Sequence, residues 1–273
     1  MAKKINVSIL QMSSVLGDVD ANIQKVDSLV DKYLPEDSDV LILPEVWTVG
    51  WDCSRFINSA QELVSGSVHY FLSSLAKKYT INVIGGSYII KNGENYYNTC
   101  PVFDRSGKLI DSYSKMHLYS YYGCDEGKYI SHGDKPVMVC LDGVNFGLSI
   151  CYDIRFPEIY RAYAIAGADV LVNCAAWGAK KLLPWNVMTK SRAIENQCYM
   201  VALTQCGHIK DDEYNLGLSS VIDYLGNELC SISGVEGIVS AQLDIDKMHD
   251  TRLKSPTIGD IRNNYEVNIL CKK

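Results

Sequence analysis

The sequence predicts an α/β protein in which helices cover both outer sides of one large β core. Short apolar runs of strand length alternate with amphipathic helical segments along the whole chain, the pattern of sheets packed under helices. No linker, low-complexity run or internal repeat divides the 273 residues, and 47% of them are apolar, enough for a single core. One domain spanning 1–273 is therefore expected.

The elements follow in order. INVSILQM (5–12) is a strand. Residues 18–34 form an amphipathic helix with Val19, Ile23, Val26, Leu29, Val30 and Tyr33 on one face. DVLILPE (39–45) is a buried strand that carries a carboxylate at its C-terminal end. A second helix covers roughly 61–79. INVIGGSYII, YYNTCPVFD and KLIDSYSK follow as strands, the last two joined by an Arg-Ser-Gly turn. The pattern then repeats in kind, though not in sequence. NFGLSIC (145–151) is a strand, and PEIYRAYAIAGA is a helix with Pro157 in its first turn. ADVLVNC is a buried strand, and WNVMTKSRAIENQC a helix. YMVALTQC, LSSVIDYLG, NELCSIS and GIVSAQLDI supply the remaining strands, with Leu-Gly-Asn as a hairpin turn. Pattern alone leaves a doubly wound sheet, a barrel and a two-sheet sandwich open.

Composition removes several function classes. With 26 basic residues against 32 acidic the net charge is −6, which argues against a nucleic-acid partner, since phosphate contacts need a basic surface. No stretch approaches 18 uninterrupted apolar residues, so no membrane span is expected. Only Ile5–Leu10 separate the first lysines from Gln11, too few for a signal-peptide core, and a cytoplasmic protein is expected. The ten cysteines are scattered through apolar segments and read as reduced and largely buried. There is no Cys-x-x-Cys pair, and the five histidines show no metal-ligand spacing. No metal site and no cofactor are expected.

Three segments end an apolar strand with a reactive side chain: LILPEVWTVGW with Glu45, DSYSKMHLYS with Lys115 and LSICYDIRFPE with Cys151. Strand ends are where layered α/β proteins present catalytic groups. A cysteine is ordinarily a small buried hydrophobe. Cys151, however, is followed at once by Tyr152, Asp153 and Arg155, with a helix starting near Pro157. Such a turn exposes a side chain and aims backbone N–H groups at it, favouring a thiolate and an oxyanion. Lys115 is a surface lysine on the plain reading, but it sits among Tyr113, Met116, Leu118 and Tyr119. Glu45, wedged between LILP and Val46-Trp47, is a carboxylate expected to be buried and paired, with the raised pKa that suits a general base.

Glu in LPE, Lys in SKMHL and Cys in ICYDIRFPE, in that order and 70 and 36 residues apart, resemble the three signature motifs of the nitrilase (carbon–nitrogen hydrolase) superfamily. GGSYI, NTCPVFDRSGKLI and SRAIENQCYMVALTQCG are similar to its framework segments, so the resemblance spans the chain. It implies a four-layer α-β-β-α sandwich, a Glu45–Lys115–Cys151 triad and a second active-site glutamate, Glu126, whose plain reading is a solvated loop carboxylate. It implies a thioester on Cys151, with Glu45 as base and the oxyanion held by Lys115 and the Tyr152 N–H. CYDIRFPE and LPEVWTVGWD resemble the branch of omega-amidases and 2-oxo acid amidases, which cleave the terminal amide of short dicarboxylic monoamides such as 2-oxoglutaramate. Other activities considered are deaminated glutathione amidase, N-carbamoyl amide hydrolase, nitrilase and a non-catalytic binding module. Arg155 is a candidate for the substrate carboxylate, against a turn-bracing pair with Glu158 or Asp153. Tyr152, Trp177 and Trp47 are candidates to line the pocket, against core packing for both tryptophans. Arg192 and Glu195, three apart on a helix, read as a structural ion pair. The family's tail crosses to a partner subunit, so residues from about 251 to 273 imply a homodimer or a higher even-numbered assembly.

Overall fold

The computed structural model describes residues 3–121, 124–262 and 265–267. Fifteen strands and six α-helices are seen among them. The first half holds β1 (Lys4–Gln11), α1 (Val19–Tyr33), β2 (Val40–Ile42), the short α2 (Phe56–Ser59), α3 (Ser67–Tyr79), β3 (Asn82–Ile84), β4 (Tyr88–Asn92), β5 (Asn95–Phe103) and β6 (Leu109–Ser114). The second holds β7 (Met138–Leu141), β8 (Val144–Ile150), α4 (Pro157–Ile165), β9 (Val170–Ala175), α5 (Leu182–Asn196), β10 (Tyr199–Thr204), β11 (His208–Lys210), β12 (Glu213–Tyr214), β13 (Leu218–Ile222), β14 (Glu228–Ser233), β15 (Gly237–Asp244) and α6 (Ile245–Lys254).

The strands form two large sheets, ordered β15-β1-β2-β3-β5-β4, with β6 on β5, and β14-β13-β10-β9-β8-β7. Each sheet has three parallel strands at its centre, β1-β2-β3 and β8-β9-β10. Antiparallel strands flank them, and helical crossovers join the parallel ones. Alternation decides the faces. Ile5, Val7 and Ile9 meet Leu148, Ile150 and Val172 of the other sheet in the central core. On the outer side Leu41, Leu43 and Val83 pack under Val26 and Val30 of α1 and Leu72 of α3. Tyr160 and Tyr163 of α4 and Trp185 of α5 cover the second sheet. This is the four-layer α-β-β-α sandwich, which resolves the three architectures that pattern left open. No helix among the described residues is long and apolar enough to cross a membrane.

Several boundaries differ from the sequence reading. The second helix starts at Ser67 because Gln61 is extended and bridged to β4, with its N–H on Ile89 O and its C=O on Lys91 N. In α1, Asn22 is fully buried, donating to Val15 O and Thr48 O, while Tyr33 lies 41% exposed. The helix α6 is absent from the sequence reading because only Ile245 and Met248 of its ten residues are buried, leaving almost no apolar periodicity. Residues 263–264 and 268–273 of the expected interface tail lie outside the described residues.

Candidate active site

The two sheets deliver their reactive groups to one place. Glu45 follows β2 and Lys115 follows β6 on the first sheet; Cys151 follows β8 on the second. Glu45 and Lys115 are fully buried, and Cys151 is 7% exposed. The Lys115 Nζ donates to Glu45 Oε1 at 2.8 Å and to both Glu126 oxygens at 2.8 and 3.0 Å. Glu45 accepts further bonds from Asn98 Nδ2 (3.0 Å) and the Ala176 N–H (2.8 Å). Glu126, fully buried, is oriented by the Tyr119 N–H at 2.6 Å. The solvated loop carboxylate is thus replaced by a buried partner of Lys115.

Tight turns put these groups in place. Val46, directly after Glu45, adopts φ 40°, and Cys151 adopts φ 46°. Both are left-handed conformations costly for side-chain-bearing residues, most of all for a β-branched valine. At Gly86 (φ +64°) an added Cβ would stand 2.1 Å from Pro44 O, so only glycine lets that connection pass beneath the Pro44–Glu45 peptide. The Cys151 turn is braced by Asp153, which accepts from the Ile150 N–H (2.8 Å), Tyr113 OH (2.6 Å) and the His117 N–H (3.0 Å). Arg192 donates from α5 to Ile154 O at 2.8 Å while pairing with Glu195 at 2.7 Å. Its expected ion pair is present, and it also clamps the turn after the cysteine.

The charges are strongly coupled. Burial alone would push Lys115 down, but Glu126, Glu45 and Cys151 outweigh it and hold the ammonium well above the usual lysine range. Burial raises the Glu126 carboxyl, only partly offset by Lys115. Burial and the neighbouring Glu45 raise the Cys151 thiol well above an ordinary cysteine, with Lys115 opposing. Burial and Glu45 thus favour the thiol over the thiolate, so the sulfur needs a base to act as nucleophile.

A cavity of about 580 Å³ opens above Cys151, within the usual size of a small-molecule site. Tyr152 and Trp177 line it, with Trp51 and Tyr119. Arg155 is also in its wall, over the Tyr152 ring at 5.9 Å and the Trp177 ring at 5.3 Å. Arg155 makes no ion pair with Asp153 or Glu158 among the described residues; Asp153 is committed to His117 and Tyr113. Trp47 is a correction. Fully buried, it donates to Gly85 O at 2.9 Å and packs on Phe71 in the helix-facing core. The turn at Val46 sends Trp47 outward, and it is Trp51 that lies over Lys115, 5.3 Å from Nζ to the ring centroid. Asn98, Ala176 and the rim lysines Lys180 and Lys181 were missed, since an amide or N–H inside a strand run carries no local signal. Among the described residues no His/Cys/Asp/Glu cluster could hold a metal ion.

A Glu–Lys–Cys constellation at the meeting ends of two sandwiched sheets defines a carbon–nitrogen hydrolase of the nitrilase type. The carbon-nitrogen hydrolase family model matches residues 6–253, and the chain belongs to that family. It is 36% identical to the 2-oxoglutaramate amidase of Bacillus subtilis (strain 168), over 95% of this chain and 98% of that protein. It is 28% identical to the Saccharomyces cerevisiae omega-amidase NIT3, over 94% and 92%. The crystal structure of Saccharomyces cerevisiae Nit3, a member of branch 10 of the nitrilase superfamily, superposes with a TM-score of 0.84 at 28% identity, over 93% of this chain and 95% of that one.

Proposed function

We propose that this chain is a cysteine-dependent amidase that hydrolyses the terminal amide of a small carboxylic acid monoamide, such as 2-oxoglutaramate, to the acid and ammonia. The observation that carries it is the buried Glu45–Lys115–Glu126 network against the Cys151 thiol under an open cavity with Arg155 in its wall. The relatives called 2-oxoglutaramate amidase and omega-amidase support the substrate class.

Glu45 takes the thiol proton as the sulfur attacks the amide carbonyl. The Lys115 ammonium, held charged by Glu126, and the Tyr152 N–H stabilise the oxyanion. The proton then passes from Glu45 to the nitrogen, the carbon–nitrogen bond breaks and ammonia leaves a thioester on Cys151. Glu45 next takes a proton from water, whose oxygen attacks the thioester, and the proton returns to sulfur as the acid departs. The Arg155 guanidinium meets the free carboxylate at the far end of the substrate.

The outer face of α5 supports a homodimer: Leu183, Val187 and Ile194 are 72%, 54% and 50% exposed at helical spacing, an apolar stripe that a second copy would cover. A monomer by light scattering at micromolar concentration would contradict this. The nine free cysteines among the described residues suit the reducing cytoplasm. The deciding assay is ammonia release from 2-oxoglutaramate, succinamate, N-carbamoylputrescine and an aliphatic nitrile. Turnover of the dicarboxylic monoamides, lost in Cys151→Ala, is expected; turnover of another panel member alone would overturn the substrate class.

A further inference from the structure

The sulfurs of Cys53 and Cys124 are 2.9 Å apart with nothing between them, and the proposed reaction uses neither. Cys53 lies in the turn after Trp51, in a small apolar cluster with Val46, Phe56 and Leu118. Cys124 is half-buried and lines the cavity over Cys151, two residues before Glu126. A molecule that enters the cavity therefore reaches one sulfur of the pair directly. The other close pair, Cys100 and Cys174, is 2% and 1% exposed in the core between the sheets and has no such access.

We propose that Cys53 and Cys124 are a modification site, oxidised by a small peroxide to an intramolecular disulfide that joins the Trp51 and Glu126 walls of the catalytic pocket. The two thiols have distinct roles. The contact between the sulfurs holds the Cys124 thiol below the ordinary cysteine range and pushes Cys53 up, and Cys124 is the sulfur open to the cavity. The Cys124 thiolate attacks a peroxide oxygen, the O–O bond breaks, and hydroxide leaves with a sulfenic acid on Cys124. Cys53 loses its proton and its sulfur attacks the sulfenic sulfur; the S–O bond breaks and water leaves. Two thiols are oxidised, and one peroxide is reduced to two waters.

A disulfide bond is about 2.05 Å long, so the sulfurs must approach by about 0.9 Å. That displacement is passed to the segment holding Glu126, whose oxygens lie 2.8 and 3.0 Å from Lys115. It is passed equally to Trp51, whose ring covers Lys115. Shifts of about 1 Å in positioning groups slow turnover by up to about 10²-fold.

The test has two arms on the full chain. In Cys151→Ala, titration with hydrogen peroxide followed by alkylation, digestion and mass spectrometry should yield a peptide linking Cys53 to Cys124, lighter by two hydrogens and cleaved by dithiothreitol. Both cysteines recovered as free thiols after the exposed Cys140 has been oxidised would overturn the proposal. The second arm rests on the amidase reading; the first does not. Peroxide-treated wild type should lose ammonia release by roughly tenfold or more, recover it with dithiothreitol, and differ in this from Cys53→Ser, where Cys124 and Cys151 can still be oxidised but no disulfide joins the two walls. Equal reversible loss in both proteins would refute the coupling. A chain that turns over no amide but forms the linked peptide would refute the amidase reading alone.

Discussion

Replacing Glu45 by Gln separates two effects that a simple loss of activity would merge. The neighbouring Glu45 charge raises the Cys151 thiol. A negative charge beside the sulfur opposes a thiolate there. Glutamine keeps a hydrogen-bonding oxygen for Lys115, 2.8 Å away in the wild type, but removes that charge. The thiolate fraction of Cys151 at neutral pH should rise. A less basic thiolate is a weaker nucleophile, with a Brønsted slope of about 0.4–0.5 that halves the gain on a logarithmic scale. Alkylation of Cys151 by iodoacetamide at pH 7, followed on its own peptide by mass spectrometry, should therefore still be faster in Glu45→Gln than in wild type. Turnover should fall at least ~10²-fold, since the base is gone. Slower alkylation than wild type would refute the reasoning. It would mean that the resting proton already sits on Glu45 and that the carboxylate sustains a thiolate.

Three further outcomes are expected. Cys151→Ala should keep the fold by circular dichroism and lose turnover; activity within about tenfold of wild type would remove the nucleophile. Lys115→Met strands two buried carboxylates and should cost about 3–5 kcal/mol in denaturant unfolding. The Lys115 folded pKa is raised, so its contribution is whole below the unfolded value of about 10.4 and is lost only as pH climbs through the folded one. In the variant, Glu126 already has a raised folded pKa from burial, so stability should rise as pH falls through it. A deficit independent of pH would contradict the burial of that charge. Arg155→Gln should lower kcat/KM about 10- to 100-fold for amides bearing a carboxylate, the range of a charged hydrogen bond, and leave an uncharged amide little changed. Equal losses on both would return Arg155 to a structural role.

The layers and the triad were legible in the sequence because each motif places a reactive residue at the C-terminal limit of a strand, as in Ser149-Ile150-Cys151. The pairing of Lys115 with Glu126 was accessible only through family resemblance, because the contact depends on how the loop after β6 folds back. The exchange of Trp47 for Trp51 was not legible at all. Which tryptophan faces the pocket is decided by one left-handed residue, Val46, and valine is a residue type that gives no warning of such a turn. The bracing groups Asp153, Asn98 and Arg192 escaped for another reason. Their partners lie on different elements, 36, 53 and 38 residues away in sequence.

The left-handed backbone at Cys151 sets the working sequence against the most durable one. Glycine would occupy φ 46° freely, whereas a side chain there costs about 1–2 kcal/mol. A search for heat-resistant variants of this chain that scores folding alone is therefore drawn toward discarding the nucleophile. Selection at this position has to be read through ammonia release, and thermal robustness has to be sought on the outer helices instead.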